Sequence, residues 1–123
     1  MKGINEVFVL GRVGQAPELR QLPSGKLVCT FSIATHRQVR DGDGFREETE
    51  WIDMKAWDRQ AEIAEQHLCK GEPVVIQGRL YTEKWTSADG QPRSKRVVYV
   101  RQLTLLPSRP VMPTQAPDQS LPL

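Results

Sequence analysis

An all-β fold interrupted by one short helix is the architecture this sequence predicts, and three observations predict it. Five β-rich stretches follow one another within residues 1–106, and turns carrying glycine or proline separate several of them. One segment, between the third and fourth stretches, changes from period two to helical spacing.

The first strand is Glu6 to Val13, apolar on both faces as a strand inside a closed or doubly covered sheet must be, with Gly11 suited to a bulge or bend. After the turn Pro23-Ser24-Gly25, the second strand runs from Leu27 to Thr35. It sets Leu27, Cys29, Phe31 and Ile33 on one face and Val28, Thr30, Ser32 and Ala34 on the other. His36 to Arg46 is too polar and glycine-rich for core and reads as a protruding hairpin loop. Glu48 to Trp57 is the third strand. From Arg59 to Lys70 the residues Ala61, Ala64 and Leu68 recur at helical spacing, with Asp58 placed to cap the start and Gly71 to stop the end. Pro73 to Trp85 is the fourth strand, interrupted by Gly78. A hairpin turn over Ser87-Ala88-Asp89-Gly90 leads to the fifth, Lys95 to Leu106. Five short strands with one helix between the third and fourth is the order of an OB-fold, a small Greek-key barrel. Periodicity alone leaves a plain β-sandwich as the alternative.

Residues 107–123 hold five of the nine prolines, no glycine or aromatic residue, and only Arg109 and Asp118 as charges. A flexible, extended C-terminal tail is expected there, with the domain boundary near Leu106.

With 123 residues, 26% of them charged, the chain is sized for one globular domain that needs no disulfide or metal to hold its core. Cys29 and Cys69 stand alone at no metal-binding spacing, so both are expected to be structural, in a reducing, cytoplasmic compartment. No apolar run approaches the roughly 18 residues of a membrane helix. A net charge of +2 with pI near 8.7 permits a nucleic-acid partner without demanding one.

The chemistry concentrates in Thr49 to Trp57. Alternation sends Ile52, Met54 and Ala56 to a core face and Trp51, Asp53, Lys55 and Trp57 to the other. Exposed tryptophans beside a lysine form a stacking platform with a cation for phosphate. Trp85, beside Lys84, ends the fourth strand, and Tyr81 shares its parity. The competing assignment puts these tryptophans in a second core layer or a subunit interface. Arg37, Arg40 and Arg46 are positioned to follow a phosphate backbone, partly offset by Asp41 and Asp43. The latter two open like a calcium loop, but no ligand follows at the required spacing, and no metal is expected. Catalysis has little support: His36 and His67 have no triad partners, no phosphate-cradling glycine loop occurs, and no cofactor is implied. Cys69, near a helix C-terminus, lacks the dipole that activates a thiolate.

The run from Asn5 through Gly11-Arg12-Val13-Gly14 to Arg20, then Pro23-Ser24-Gly25, Phe31 to Thr35, Thr49-Glu50-Trp51, Trp57, Ala61-Glu62, Lys70-Gly71, Gly78-Arg79-Leu80 and Lys84-Trp85, resembles the bacterial single-stranded DNA-binding protein family over about residues 2 to 106. That resemblance implies an OB-fold that stacks bases on aromatic side chains, usually as a homotetramer wrapped by the strand, serving replication, repair and recombination near the nucleoid. It puts Trp51, Trp57 and Trp85 at stacking positions and Lys2, Arg20, Arg59, Lys70 and Lys84 along the path of the strand. The sequence departs from the family pattern at Val39, where many members carry another tryptophan. Asp53 and Glu83 also depart, standing where members often carry basic residues. The last residues offer one aspartate, Asp118, and the apolar tip Leu121-Pro122-Leu123 in place of an aspartate cluster, which predicts weak recruitment of replication and repair proteins. The second functional reading is an OB-fold protein-interaction module of the primosome-accessory kind, binding DNA only incidentally.

Overall fold

The computed structural model describes residues 1–106. Asp118, Leu121, Pro122 and Leu123, and the tail of which they are part, lie outside the described residues. Along the chain come β1 (Val7–Gln21), β2 (Leu27–Asp41), β3 (Gly44–Trp57), α1 (Asp58–His67), β4 (Pro73–Thr86) and β5 (Pro92–Leu105). The strands close into a barrel in the order β1-β2-β3-β5-β4, and β4 pairs back on β1. Neighbours are antiparallel except β3 and β5, which run parallel through Met54↔Val98 and Lys55↔Tyr99. Closure rules out the sandwich and gives the Greek-key OB topology.

β1 serves two neighbours. Val7 to Arg12 pair with β4, and Arg12 to Gln21 pair with β2. Register shifts between Val13 and Gln15 and between Gln15 and Glu18 accompany the change of partner, and the second spans Pro17, which has no N–H for a ladder. A strand ending at Val13 is therefore a correction to make: Gly14 to Gln21 is polar, but its backbone still finds partners on β2. The irregularity expected at Gly11 falls just beyond it. A similar correction applies to His36 to Arg46, which is no loop. β2 and β3 stay paired out to Asp41↔Gly44, so only Gly42 and Asp43 turn. Both faces of this projecting hairpin meet water, which is why it carries polar residues and no apolar alternation. β5 likewise begins earlier than its apolar run, at Pro92, because it pairs with Thr86 across the turn.

Inside the barrel, Cys29, Phe31 and Ile33 of β2 stand opposite Ala56, Met54 and Ile52 of β3. Val9, Val13, Val74, Ile76, Val98 and Val100 complete the cluster. α1 packs on it with Ala61 and Ala64, and Leu68 follows just past the helix. Both ends of the helix depart from the sequence expectation. Trp57 is the N-cap residue with no side-chain cap, while the Asp58 carboxylate accepts the Leu27 N–H (3.2 Å) and so fastens the helix start to β2. The helix closes at His67 because Leu68 is already extended, and Gly71 lies beyond it. Gly71 instead ties the next loop to β1: its N–H donates to the Val13 carbonyl (2.7 Å), and its own carbonyl accepts from Arg12 (2.9 Å). Burial, and secondarily Glu65, pushes the Cys29 thiol up to about 11, which suits an inert core residue. Cys69 is exposed, so only one of the two cysteines is structural.

Candidate nucleic-acid interface

Because β3 alternates, burying Met54 and Ala56 turns Trp51, Asp53, Lys55 and Trp57 outward. The same parity on β4 turns Arg79, Tyr81, Glu83 and Trp85 outward, and across the ladder their partners are Tyr99, Val97, Lys95 and Arg93 of β5. Since β3 lies beside β5, the outer faces of β3, β5 and β4 form one surface.

Three aromatic rings cross that surface in sequence. Trp57 meets Tyr99 edge to face, with centroids 4.3 Å apart and planes at 66°. Tyr99 stacks on Tyr81 at 4.5 Å and 22°. The guanidinium of Arg79 sits 5.7 Å from the Tyr81 ring centre. Farther along β4, Trp85 is 46% exposed beside Arg93. Trp51 stands apart at 61% exposure. Its ring lies over Gly14 of β1, where a Cβ would come within 2.3 Å of the ring edge. Glycine there is what lets the indole lie against the barrel wall.

The charges between the rings are paired. Lys55 donates to Glu83 at 2.7 Å, and the Tyr99 hydroxyl donates to the same carboxylate at 3.0 Å. Burial works to raise the Glu83 pKa, but these two hydrogen bonds and the positive charges of Lys55 and Lys95 hold it below the usual range. Burial and the Glu83 carboxylate push the Tyr99 phenol up to about 12. Lys95 pairs with Asp53 at 3.4 Å. Lys55, Lys70 and Lys95 line one hollow with Gly14, Gln15 and Thr30.

Of the residues singled out from the sequence, Trp57 and Tyr81 are brought into one cluster, while Trp51 and Trp85 flank it on the same strands. Arg20 stands opposite Val28, which itself stands opposite Trp57, so it belongs to the same outer row. Lys2 is exposed ahead of β1, and Arg59 is on the helix with Glu62 at 3.8 Å. Lys84 has the parity opposite to Trp85 and faces away from it. Arg37 is committed to Glu48 at 3.0 Å, and Arg40 lies over the Phe45 ring on the hairpin. Lys55, expected as a phosphate contact, donates to Glu83 at 2.7 Å. Its partner comes from a strand 28 residues away, which alternation within β3 cannot reveal. Sequence reasoning passed over Tyr99, Arg79 and Lys95. The signal for Tyr99 was present: Val98 and Val100 are core, so the residue between them must point out.

The single-strand binding protein family model matches residues 4–106. A single-stranded DNA-binding protein of Wolinella succinogenes is 41% identical over 106 residues, covering 85% of this chain and 65% of that protein. One of Helicobacter hepaticus is 37% identical over 107 residues, covering 86% of this chain and 63% of the relative. The chain thus spans slightly less than two thirds of the length of these curated relatives. A solved structure described as a Plasmodium falciparum SSB complex with ssDNA superposes with a TM-score of 0.78 at 30% identity, covering 87% of this chain and 98% of that one.

Proposed function

The chain belongs to the single-strand binding protein family, and from that premise we propose that it captures and protects single-stranded DNA with little regard to sequence, as a binding module without a catalytic step. One observation carries the reading: the Trp57–Tyr99–Tyr81 cluster, flanked by the exposed Trp51 and Trp85, offers faces on which successive bases can stack. Stacking is assigned to Trp51, Trp57, Trp85 and Tyr81. Phosphates are assigned to Lys2, Arg20, Arg59, Lys70 and Lys84, with Arg37 and Arg40 reached only by a strand that follows the hairpin. Replication, repair and recombination in the cytoplasm, at the nucleoid, are the settings in which such a module works.

All three tryptophans of the sequence lie at this surface, so intrinsic fluorescence reports on it directly. Oligothymidine is expected to quench the emission strongly and to saturate. An unchanged spectrum at micromolar oligonucleotide would favour the protein-interaction module instead.

Phe8 and Leu10 share one parity on β1 at 69% and 63% exposure, with Val75 across from Leu10. Large apolar residues side by side on a strand favour self-association, in keeping with the homotetramers of the family. Mass in solution tests this, and a monomer at high concentration would refute it. Binding is assigned to residues 1–106. Removing residues 107–123 is expected to leave single-strand affinity within about twofold of the full chain. A larger loss would move part of the binding site into the tail.

A further inference from the structure

Lys55 and Tyr99 direct their hydrogen bonds to one atom. The ammonium donates to Glu83 Oε2 at 2.7 Å and the phenol hydroxyl donates to the same Oε2 at 3.0 Å. Glu83 Oε1 has no hydrogen-bond partner among the described residues. Yet the side chain is only 18% exposed, standing two positions along the outward row from Tyr81 and bonded to Tyr99. An ionised carboxylate can only accept, and each of its oxygens has capacity for more than one donor. Gln60 Oε1 is the one buried polar side-chain atom without a partner among the described residues, so Glu83 Oε1 reaches solvent and is open to a donor. A phosphate cannot supply one. A base edge can.

Resting on the single-strand reading above, we propose that Glu83 determines base preference: its Oε1 accepts a hydrogen bond from the exocyclic amino group of a base stacked on the Tyr81–Tyr99 pair, so that this position favours cytosine over thymine. Cytosine presents an N4 amino donor where thymine presents the O4 acceptor, and a carboxylate pairs with the first and repels the second. The low pKa of Glu83 keeps the acceptor ionised at neutral pH. The bond from Tyr99 fixes the carboxylate beside the ring on which the base would lie, and the pairing with Lys55 removes a cation that would otherwise draw a phosphate to the same spot.

The test is a fluorescence titration of the full chain at fixed salt with oligodeoxycytidine, oligothymidine and an oligomer of deoxyribosyl pyrimidin-2-one, which is cytosine without its amino group, all of one length. Oligodeoxycytidine is expected to bind on the order of fivefold tighter than either of the others, the low end of what one good base contact discriminates. Glu83→Gln is expected to bring the cytosine-to-thymine ratio to one or below, since an amide can donate to O4 as readily as it accepts from N4. A cytosine preference that survives Glu83→Gln, or a pyrimidin-2-one oligomer that binds as tightly as oligodeoxycytidine, overturns the proposal. So does equal or tighter binding of oligothymidine by the unaltered chain. The base-analogue comparison uses no variant and decides the matter even if Glu83→Gln does not fold. Failure to bind any of the three oligomers overturns the single-strand reading itself, whereas tight but equal binding of all three overturns only the base preference.

Discussion

Neighbouring residues of β3 have opposite tasks, and substitution separates them. Met54 is 1% exposed in the barrel, while Trp51, on the other face, is 61% exposed. Met54→Ala is expected to cost about 2 to 5 kcal/mol of unfolding free energy through the cavity it leaves. Trp51→Ala is expected to leave stability nearly unchanged and to cost about 1 to 3 kcal/mol of single-strand affinity. Denaturant melts and fluorescence titrations of the two variants check this, and unfolding of Trp51→Ala would place that indole in the core. The Glu83–Tyr99 contact predicts a pH signature. Tyr99 has its folded pKa raised from 10.0 to about 12, so the stability it contributes is present below pH 10 and is lost as the pH climbs through 12. Glu83, shifted downward, contributes above the ordinary carboxylate range and loses its contribution as acid protonates it. Between pH 8 and pH 11 the unaltered chain is expected to lose more stability than Tyr99→Phe does. Parallel losses would remove the phenol from the account.

At the scale of the elements, the β4–β5 pairing holds the aromatic surface in register. At its shift between Gln77 and Gly78, a Cβ on Gly78 would lie 2.2 Å from the Tyr99 carbonyl oxygen. That neighbour is backbone and cannot swing away, so Gly78→Ala is expected to cost about 1 to 3 kcal/mol and to disturb Tyr99 with it. Gly44→Ala, at the tip of the β2–β3 hairpin, meets nothing within 4 Å and is expected to be nearly neutral. Thermal melts of the pair provide the check, and equal effects would contradict the close approach. The existence of each strand was legible because apolar alternation marks the part that lines the barrel. The ends were not, since Gly14 to Gln21 and the arms of the hairpin are held by backbone pairing, which leaves no trace in side-chain type.

For the molecule as a whole, charge pairing sets how strongly salt weakens binding. With Lys55 held by Glu83, Lys95 by Asp53 and Arg37 by Glu48, fewer cations are available than the 17 basic residues suggest. The five cations assigned to phosphates would give a log-log salt slope of roughly −3.5 per chain, at about −0.7 per phosphate for single strands. Binding is expected to persist at high salt through stacking. A slope near zero would remove the phosphate contacts, and duplex DNA bound as tightly as single strands would remove the stacking.

The sequence by itself determined the five strands with one helix between the third and fourth, the two faces of β3, and the parity shared by its tryptophans, because these follow from period-two alternation and from the order of elements, both local in the chain. It did not determine which charges remain free or which aromatics meet. Lys55 finds Glu83 across 28 residues, and Tyr81 and Tyr99 stack only because β4 and β5 pair with Arg79 opposite Tyr99. Those contacts depend on strand register and barrel closure, which are decided by the packing of all five strands together and are written in no single segment.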